Sequence, residues 1–271
     1  MTHNTHRPAT AVTVGKTEKW LTATCLGRRL IAAGPAQIAD GVWLLRGGFP
    51  VWDMNVYLVR DTHPDSAKPG VLAFDTGIRQ MAPAISAAAD PLGGLTRVVL
   101  GHSHGDHRGS AALLNVPVWC HTDERADAEN DGGAHNFDPR KLPRVSRFAL
   151  FPLIHIWDAG PVKITATLND GDDVAGFRVV HLPGHTPGSI ALWRESDRLA
   201  LTSDCFYTLN PVTLRHGPPR VPHRAFNHHT EQAKTAIRKL AALQPAAAWP
   251  GHADPLTGDV AAQLEHAAAT T

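Results

Sequence analysis

A chain of 271 residues can bury one large core or two small ones, and 43% hydrophobic with 19% charged residues excludes a disordered chain. The formal net charge is +1 and no Lys/Arg block stands out, so electrostatic capture of nucleic acid has no support. Three cysteines with no Cys-x-x-Cys spacing argue against a disulfide framework, and no apolar leader or run of the ~20 residues that span a membrane is visible, so a cytoplasmic protein is expected.

Residues 1–35 read as an N-terminal arm, with a short helix over 17–31 that packs on the body or on the second subunit of a homodimer. Residues 38–46 and 55–60 read as strands flanking a loop that carries Phe49 and Trp52. A strand over 70–74 follows, then an alanine-rich helix over 80–89, stopped by the proline at 91. Residues 97–100 are a short β-branched run that predicts a buried strand. Beyond it, 106–114 reads as a helix, 116–120 as a strand, and 121–127 as the start of a polar helix with its charges in solvent. Residues 128–160 lack periodicity. Their aromatics (Phe137, Phe148, Phe151, Trp157) suggest an insertion lying over the sheet and shaping a pocket. Strands are predicted over 162–168, 177–181, 189–193 and 199–202, an irregular Pro- and His-rich stretch over 206–229, and helices over 230–243 and 258–269.

The 17 histidines matter for where they cluster. His102, His104, Asp106 and His107 fall within six residues directly after the strand at 97–100. His102 and His104 are two apart, so in extended backbone they project the same way and can grip one cation, while Asp106 and His107 face a second position. Imidazole nitrogen and carboxylate oxygen are the ligands a zinc-type ion prefers. Three later residues sit at the ends of other strand-like runs: His185 after Pro183-Gly184, Asp204 at a strand tip, and His252 after Pro250-Gly251. Together the seven form a set that can hold two metals, with Asp204 as the bridge. Cys205 follows Asp204, and alternation turns it away from the metals.

The order His102-x-His104-x-Asp106-His107, then Gly184-His185-Thr186-Pro187-Gly188-Ser189, then Ser203-Asp204-Cys205, then Pro250-Gly251-His252 resembles the metallo-β-lactamase superfamily, whose motifs here run from Asn55 to His252. The resemblance implies an α/β fold, the αββα four-layer sandwich, with residues 36–271 as a single catalytic domain and an insertion at about 128–160. It implies one metal on His102, His104 and His185 and another on Asp106, His107 and His252, with Asp204 shared. Two zinc ions per chain are expected, with iron or manganese as alternatives. Asp75, at the end of the strand over 70–74, would orient a ligand His.

The chemistry implied is that of a dinuclear metal-dependent hydrolase, in which a metal-bridging hydroxide attacks a small carbonyl ester, lactone or thioester and Asp106 relays a proton to the leaving group. Tyr207 matches the tyrosine that, in the branch hydrolysing acyl-homoserine lactones, donates to the developing oxyanion; the plainer reading is a core tyrosine beside Phe206. In the family the hairpin loop overhangs the active site, so Phe49 and Trp52 are expected to touch substrate. Zinc β-lactamases generally lack the bridging aspartate, so Asp204 counts against that activity. Glyoxalase-II-type thioesterases carry a helical domain after the last His, and 19 residues follow His252, which tells against glutathione thioesters. A single-iron persulfide dioxygenase, a β-lactamase and a phosphodiesterase are the alternatives. The partner expected is a small molecule, not nucleic acid or membrane.

Overall fold

The structure is a computed structural model that describes residues 31–61 and 69–270. The helix expected in the N-terminal arm, and Cys25 within it, lie outside the described residues.

The first sheet holds β1 (Ala36–Ala39), β2 (Val42–Gly47), β3 (Met54–Asp61), β4 (Gly70–Phe74), β5 (Leu95–Val99), β6 (Val118–His121) and β7 (Ala166–Leu168), side by side in sequence order. β1 to β4 pair antiparallel, and β4 to β7 parallel. Four strands of the second sheet follow: β8 (Asp173–Val174), β9 (Phe177–His181), β10 (Ile190–Arg194) and β11 (Leu199–Ser203). A separate hairpin, β12 (Tyr207–Asn210) and β13 (Arg215–Arg220), intervenes before β14 (Ala247–Pro250) and β15 (Leu256–Thr257). The second sheet runs β15-β14-β11-β10-β9-β8, with β11 and β14 parallel.

The period-2 alternation of strand side chains sorts residues into layers. On one face of the first sheet, Tyr57, Val59, Leu72 and Phe74 meet Phe177, Val179, Leu192 and Leu201 of the second. On its other face, Val56, Leu58, Val71 and Ala73 pack with Ile85 and Ala88 of α1 (Ala82–Ala89). In the second sheet Val180, Ala191, Trp193 and Ala200 turn outward, and two later helices cover them. The result is helix, sheet, sheet, helix. Strands buried on both faces read as continuous apolar runs, which is why β4 and β11 lack polar positions along most of their length.

Four segments differ from their predicted form. Residues 106–114 are not a helix but a tight turn ending in a single 3₁₀ turn, Ala111–Leu113. The N–H groups of His107 and Arg108 both bond the His104 carbonyl, and a Cβ at Gly109 would come within 2.6 Å of three backbone oxygens, so the chain is folded on itself there. Residues 121–127 hold a 3₁₀ turn and the one-turn α2 (Arg125–Ala128), and Glu124 is fully buried rather than solvated. Within 128–160, α3 (Arg144–Trp157) starts behind Pro143; the proline at 152 hides it from a periodicity search. The hairpin β12–β13 lies in the stretch read as irregular, because an edge strand tolerates Pro218 and Pro219 where a central one would not. α4 (Thr230–Ala242) and α5 (Val260–Ala269) occupy the predicted regions, pack on one another, and supply Ala236, Ile237, Leu240 and Leu264 to the outer core of the second sheet. No helix among the described residues is long and apolar enough to cross a membrane.

Candidate metal centre

Strand ends deliver the seven predicted side chains to one edge of the sandwich: 102–107 after β5, His185 after β9, Asp204 after β11 and His252 after β14. The imidazoles of His102, His104 and His185 stand in a triangle, each pair of centroids 4.7 Å apart and each pair of planes near perpendicular. Asp106, His107 and His252 form a second group, with His107 Nε2 3.2 Å from His252 Nε2 and His252 Nε2 3.4 Å from Asp106 Oδ2. Asp204 Oδ2 lies between them, 3.3 Å from His107 Nε2, 3.5 Å from His252 Nε2 and 3.6 Å from His185 Nε2.

The ring orientations are set from behind. Asp75, at the tip of β4 with φ +59°, accepts at Oδ1 from the Gly101 N–H (2.7 Å). Its Oδ2 faces His107 Nδ1 at 2.9 Å and the Ser203 hydroxyl at 2.7 Å, and that hydroxyl is 3.0 Å from His102 Nδ1. One carboxylate thus fixes His107 directly and His102 through Ser203, holding a proton on each Nδ1 and leaving Nε2 free to ligate. His185 Nδ1 meets Asn227 Oδ1 at 3.1 Å, with the same effect.

Glu124 ties the loops together. Its Oε1 accepts from the Ser103 N–H (2.8 Å) and hydroxyl (2.6 Å), its Oε2 from the Thr186 hydroxyl (2.8 Å) and the Gly188 N–H (2.9 Å). Residue 103 lies between two histidines of the triangle and 186 follows the third. Arg108, 2% exposed, pairs with Asp158 and donates to the carbonyls of Asp127, Ala128 and Asn130, anchoring the predicted insertion against the His-rich turn. Glu124, Arg108, Ser203 and Asn227 were not singled out from sequence. Only Ser203 had a usable signal, its place beside Asp204 at a strand tip.

The donor set fits divalent cations. His102 Nε2, His185 Nε2 and Asp204 Oδ1 are buried with no hydrogen-bond partner, a cost that a cation among them would remove. The ligand atoms of each three-residue group lie within 4.8 Å of one another. Burial, reinforced by neighbouring imidazoles, holds His102 well below the usual histidine range and brings His104 down to about 3, so both keep their lone pairs. In the second group, burial works against protonation of His107, but Asp204, Asp75 and Asp106 outweigh it and raise it to about 10. Burial also opposes ionisation of Asp204, but His107 and His252 hold it well below the carboxylate range. Burial likewise opposes protonation of His252, but Asp204 and Asp106 raise it well above the usual histidine range, so the carboxylates make this second group favour positive charge. His121, Asp123 and His181 also lie close together, yet the two rings are stacked at 3.9 Å and 14°, so their in-plane lone pairs do not converge.

A cavity of about 180 Å³ opens over the centre. His104, Asp106, Asp204, Tyr207 and His252 form its floor, and its apolar wall includes Met54, Phe137, Trp157, Leu209 and Phe226. Tyr207 Oη donates to Asp204 Oδ2 at 2.9 Å, and burial, with Asp204 beside it, pushes the phenol well above its usual value, so it stays protonated. The hairpin loop reaches the cavity through Val51 and Asp53. Phe49 and Trp52 are 49% and 45% exposed and are not among the residues lining it, although the Phe49 carbonyl accepts from Trp157 Nε1. Of the aromatics in the predicted insertion, Phe137 and Trp157 line the cavity and Phe148 projects into solvent; the Phe151 side chain lies outside the described residues.

Two sheets with helices outside them and a His/Asp cluster at their edge define a class, and the family comparison agrees: the chain belongs to the metallo-beta-lactamase superfamily, whose model matches residues 49–252. "Probable metallo-hydrolase YflN" of Bacillus subtilis is 28% identical over 234 residues, covering 78% of this chain and 84% of its own. A hydroxyacylglutathione hydrolase of Cereibacter sphaeroides is 27% identical over 166 residues, 61% of this chain and 51% of that protein. Among solved structures, the metallo-beta-lactamase family protein TTHA1429 from Thermus thermophilus shares the fold at a TM-score of 0.61, with 22% identity over 85% of this chain and 79% of its own. The chain is therefore of the metallo-hydrolase superfamily, with side chains grouped as a metal centre requires.

Proposed function

We propose that this protein is a dinuclear metal-dependent hydrolase of small carbonyl esters, lactones or thioesters, with His102, His104 and His185 holding one cation, Asp106, His107 and His252 the other, and Asp204 bridging. The observation that carries this reading is the position of Asp204 Oδ2, within 3.6 Å of histidines from both groups. A complete second group also favours two cations over the single iron of a persulfide dioxygenase. When bound, such cations lower the pKa of water toward about 7 and polarise a carbonyl oxygen.

The chain's own residues do the rest. Asp75, Ser203 and Asn227 hold the imidazoles in the ligating tautomer. Tyr207, protonated and on the cavity floor, swings its single O–H from Asp204 Oδ2 to the oxygen that gains charge as the carbonyl is attacked. Asp106, a quarter exposed, is the member of the set best placed to pass a proton to the leaving oxygen or sulfur. The apolar wall packs the non-reacting part of the substrate and keeps bulk water out. Zinc is the metal we assign, and the cytoplasm the compartment, on the nitrogen and oxygen donors and the sparse cysteines.

The test is metal content and turnover. Protein prepared with zinc should carry two equivalents and hydrolyse at least one of a phenyl ester, a γ-lactone and a thioester, with bis-(nitrophenyl) phosphate and a β-lactam turned over poorly. Asp106→Ala and His107→Ala should be inactive. A chelated preparation as active as the loaded one, or a loaded one that cleaves none of the three carbonyl substrates, would refute the reading.

A further inference from the structure

One buried polar group on the cavity wall has no part in the chemistry above. Asp53 precedes β3, is 7% exposed and lines the cavity. Its backbone carbonyl accepts from the Ala253 N–H at 2.6 Å, next to His252, while its side-chain Oδ1 has no hydrogen-bond partner. A buried carboxylate oxygen without a donor is uncommon in a folded protein, because desolvation is uncompensated; a ligand that brings a donor supplies what is missing.

The remaining charge on the wall points the same way. The other carboxylates lining it are Asp106, Asp131, Asp158 and Asp204, and among the described residues no lysine or arginine lines it. Asp158 is paired with Arg108, Asp106 and Asp204 belong to the metal set, and Asp131 is half exposed and bonded to His135. Asp53 is the buried carboxylate left to meet substrate.

We propose that Asp53 determines specificity: its carboxylate accepts a hydrogen bond from an O–H or N–H on the acyl side of the substrate and turns away substrates with a carboxylate, phosphate or sulfate there. This rests on the hydrolase reading and narrows it to uncharged esters, lactones or thioesters with a hydroxyl or amide donor near the scissile carbonyl. Their apolar remainder would lie on Phe137, Trp157 and Phe226.

Calorimetry on the zinc-loaded protein tests the idea with non-hydrolysable anilides. N-phenyl-2-hydroxypropanamide should bind about tenfold tighter than N-phenylpropanamide, the size of one net hydrogen bond to a charged group. Anionic N-phenylsuccinamate should bind more weakly than either. Asp53→Leu should erase the tenfold gap; Asp53→Asn, which keeps a carbonyl acceptor without the charge, should keep part of it and admit the anion. Zinc content should be the same in all three proteins. Equal binding of the two neutral anilides by the unmodified protein overturns the proposal, and that comparison stands even if Asp53→Leu does not fold. An unchanged gap in Asp53→Leu also overturns it, as does loss of zinc in Asp53→Asn, which would place Asp53 in the metal centre. The matching phenyl esters separate the two readings. A hydroxyl preference in binding with no turnover of these esters, the γ-lactone or the thioester removes the hydrolase and keeps Asp53; turnover of both esters at equal kcat/KM does the reverse.

Discussion

Replacing Glu124 by glutamine probes the link between the two halves of the His triangle. Each Glu124 oxygen accepts from one backbone N–H and one hydroxyl: Ser103 N–H and Oγ–H on one side, Gly188 N–H and Thr186 Oγ–H on the other. A hydroxyl can rotate and accept from an amide, but a backbone N–H cannot turn away. Whichever way the glutamine amide is flipped, its NH₂ therefore faces a backbone N–H, and one buried donor is orphaned. That costs about 1–3 kcal/mol. Glu124→Ala orphans both, so about twice as much is lost. For a chain of this size each kcal/mol shifts Tm by about 2–4 °C, so the glutamine variant should melt roughly 2–12 °C lower. Urea unfolding should show the same loss as a lower midpoint with an unchanged slope. Because the loops held by Glu124 carry His102, His104 and His185, zinc should also dissociate more readily from the variant. A glutamine variant that melts within about 1 °C of the parent, with and without zinc, would refute the assignment of Glu124 as the clamp.

Asp75→Asn leaves one acceptor oxygen where Asp75 uses two, for the Gly101 N–H on one side and His107 Nδ1–H with the Ser203 hydroxyl on the other. An NH₂ then opposes one set of donors, and zinc affinity by chelator competition should fall about 10–100-fold with the fold intact; unchanged affinity would show that the tautomer is set elsewhere. Gly251→Ala would put a Cβ 2.3 Å from Asp204 Oδ1 and 2.5 Å from His107 Cε1, so metal content and turnover should collapse, whereas Gly34→Ala, with nothing within 4 Å of its Cβ, should behave as the parent. Tyr207→Phe keeps the ring and loses the donor; kcat should drop on the order of 100-fold with zinc retained, and an unchanged kcat would make the tyrosine structural. Burial pushes the Cys120 thiol up to about 12 and Cys205 is equally enclosed, so a Cys25→Ser variant should release no chromophore from a disulfide reagent at mildly alkaline pH until it is denatured.

The seven grouped residues were legible in the sequence because each sits at a fixed offset from an apolar run, where strand geometry limits the direction a side chain takes. His102 and His104 after β5, His185 after Pro183-Gly184 and His252 after Pro250-Gly251 carry that signal locally. So do the strands themselves, since a segment buried on both faces must be largely apolar. The layered sandwich came from the resemblance, which the family comparison bears out; periodicity alone did not choose it.

What the amino-acid order settled, then, was most of the central strands and which histidines and aspartates stand at their ends. Tertiary structure decided the rest. Glu124 looked like one charge on a polar helix and is buried by loops 21 and 62 residues away in the chain. Residues 106–114 have a helix-compatible composition, but convergence on a common centre bends them into a turn. Val51 and Asp53 face the cavity where Phe49 and Trp52 were expected, because the direction of a loop depends on what it packs against. Local sequence dictates which groups are offered to a site; long-range packing dictates which of them are buried, paired or left waiting for a partner.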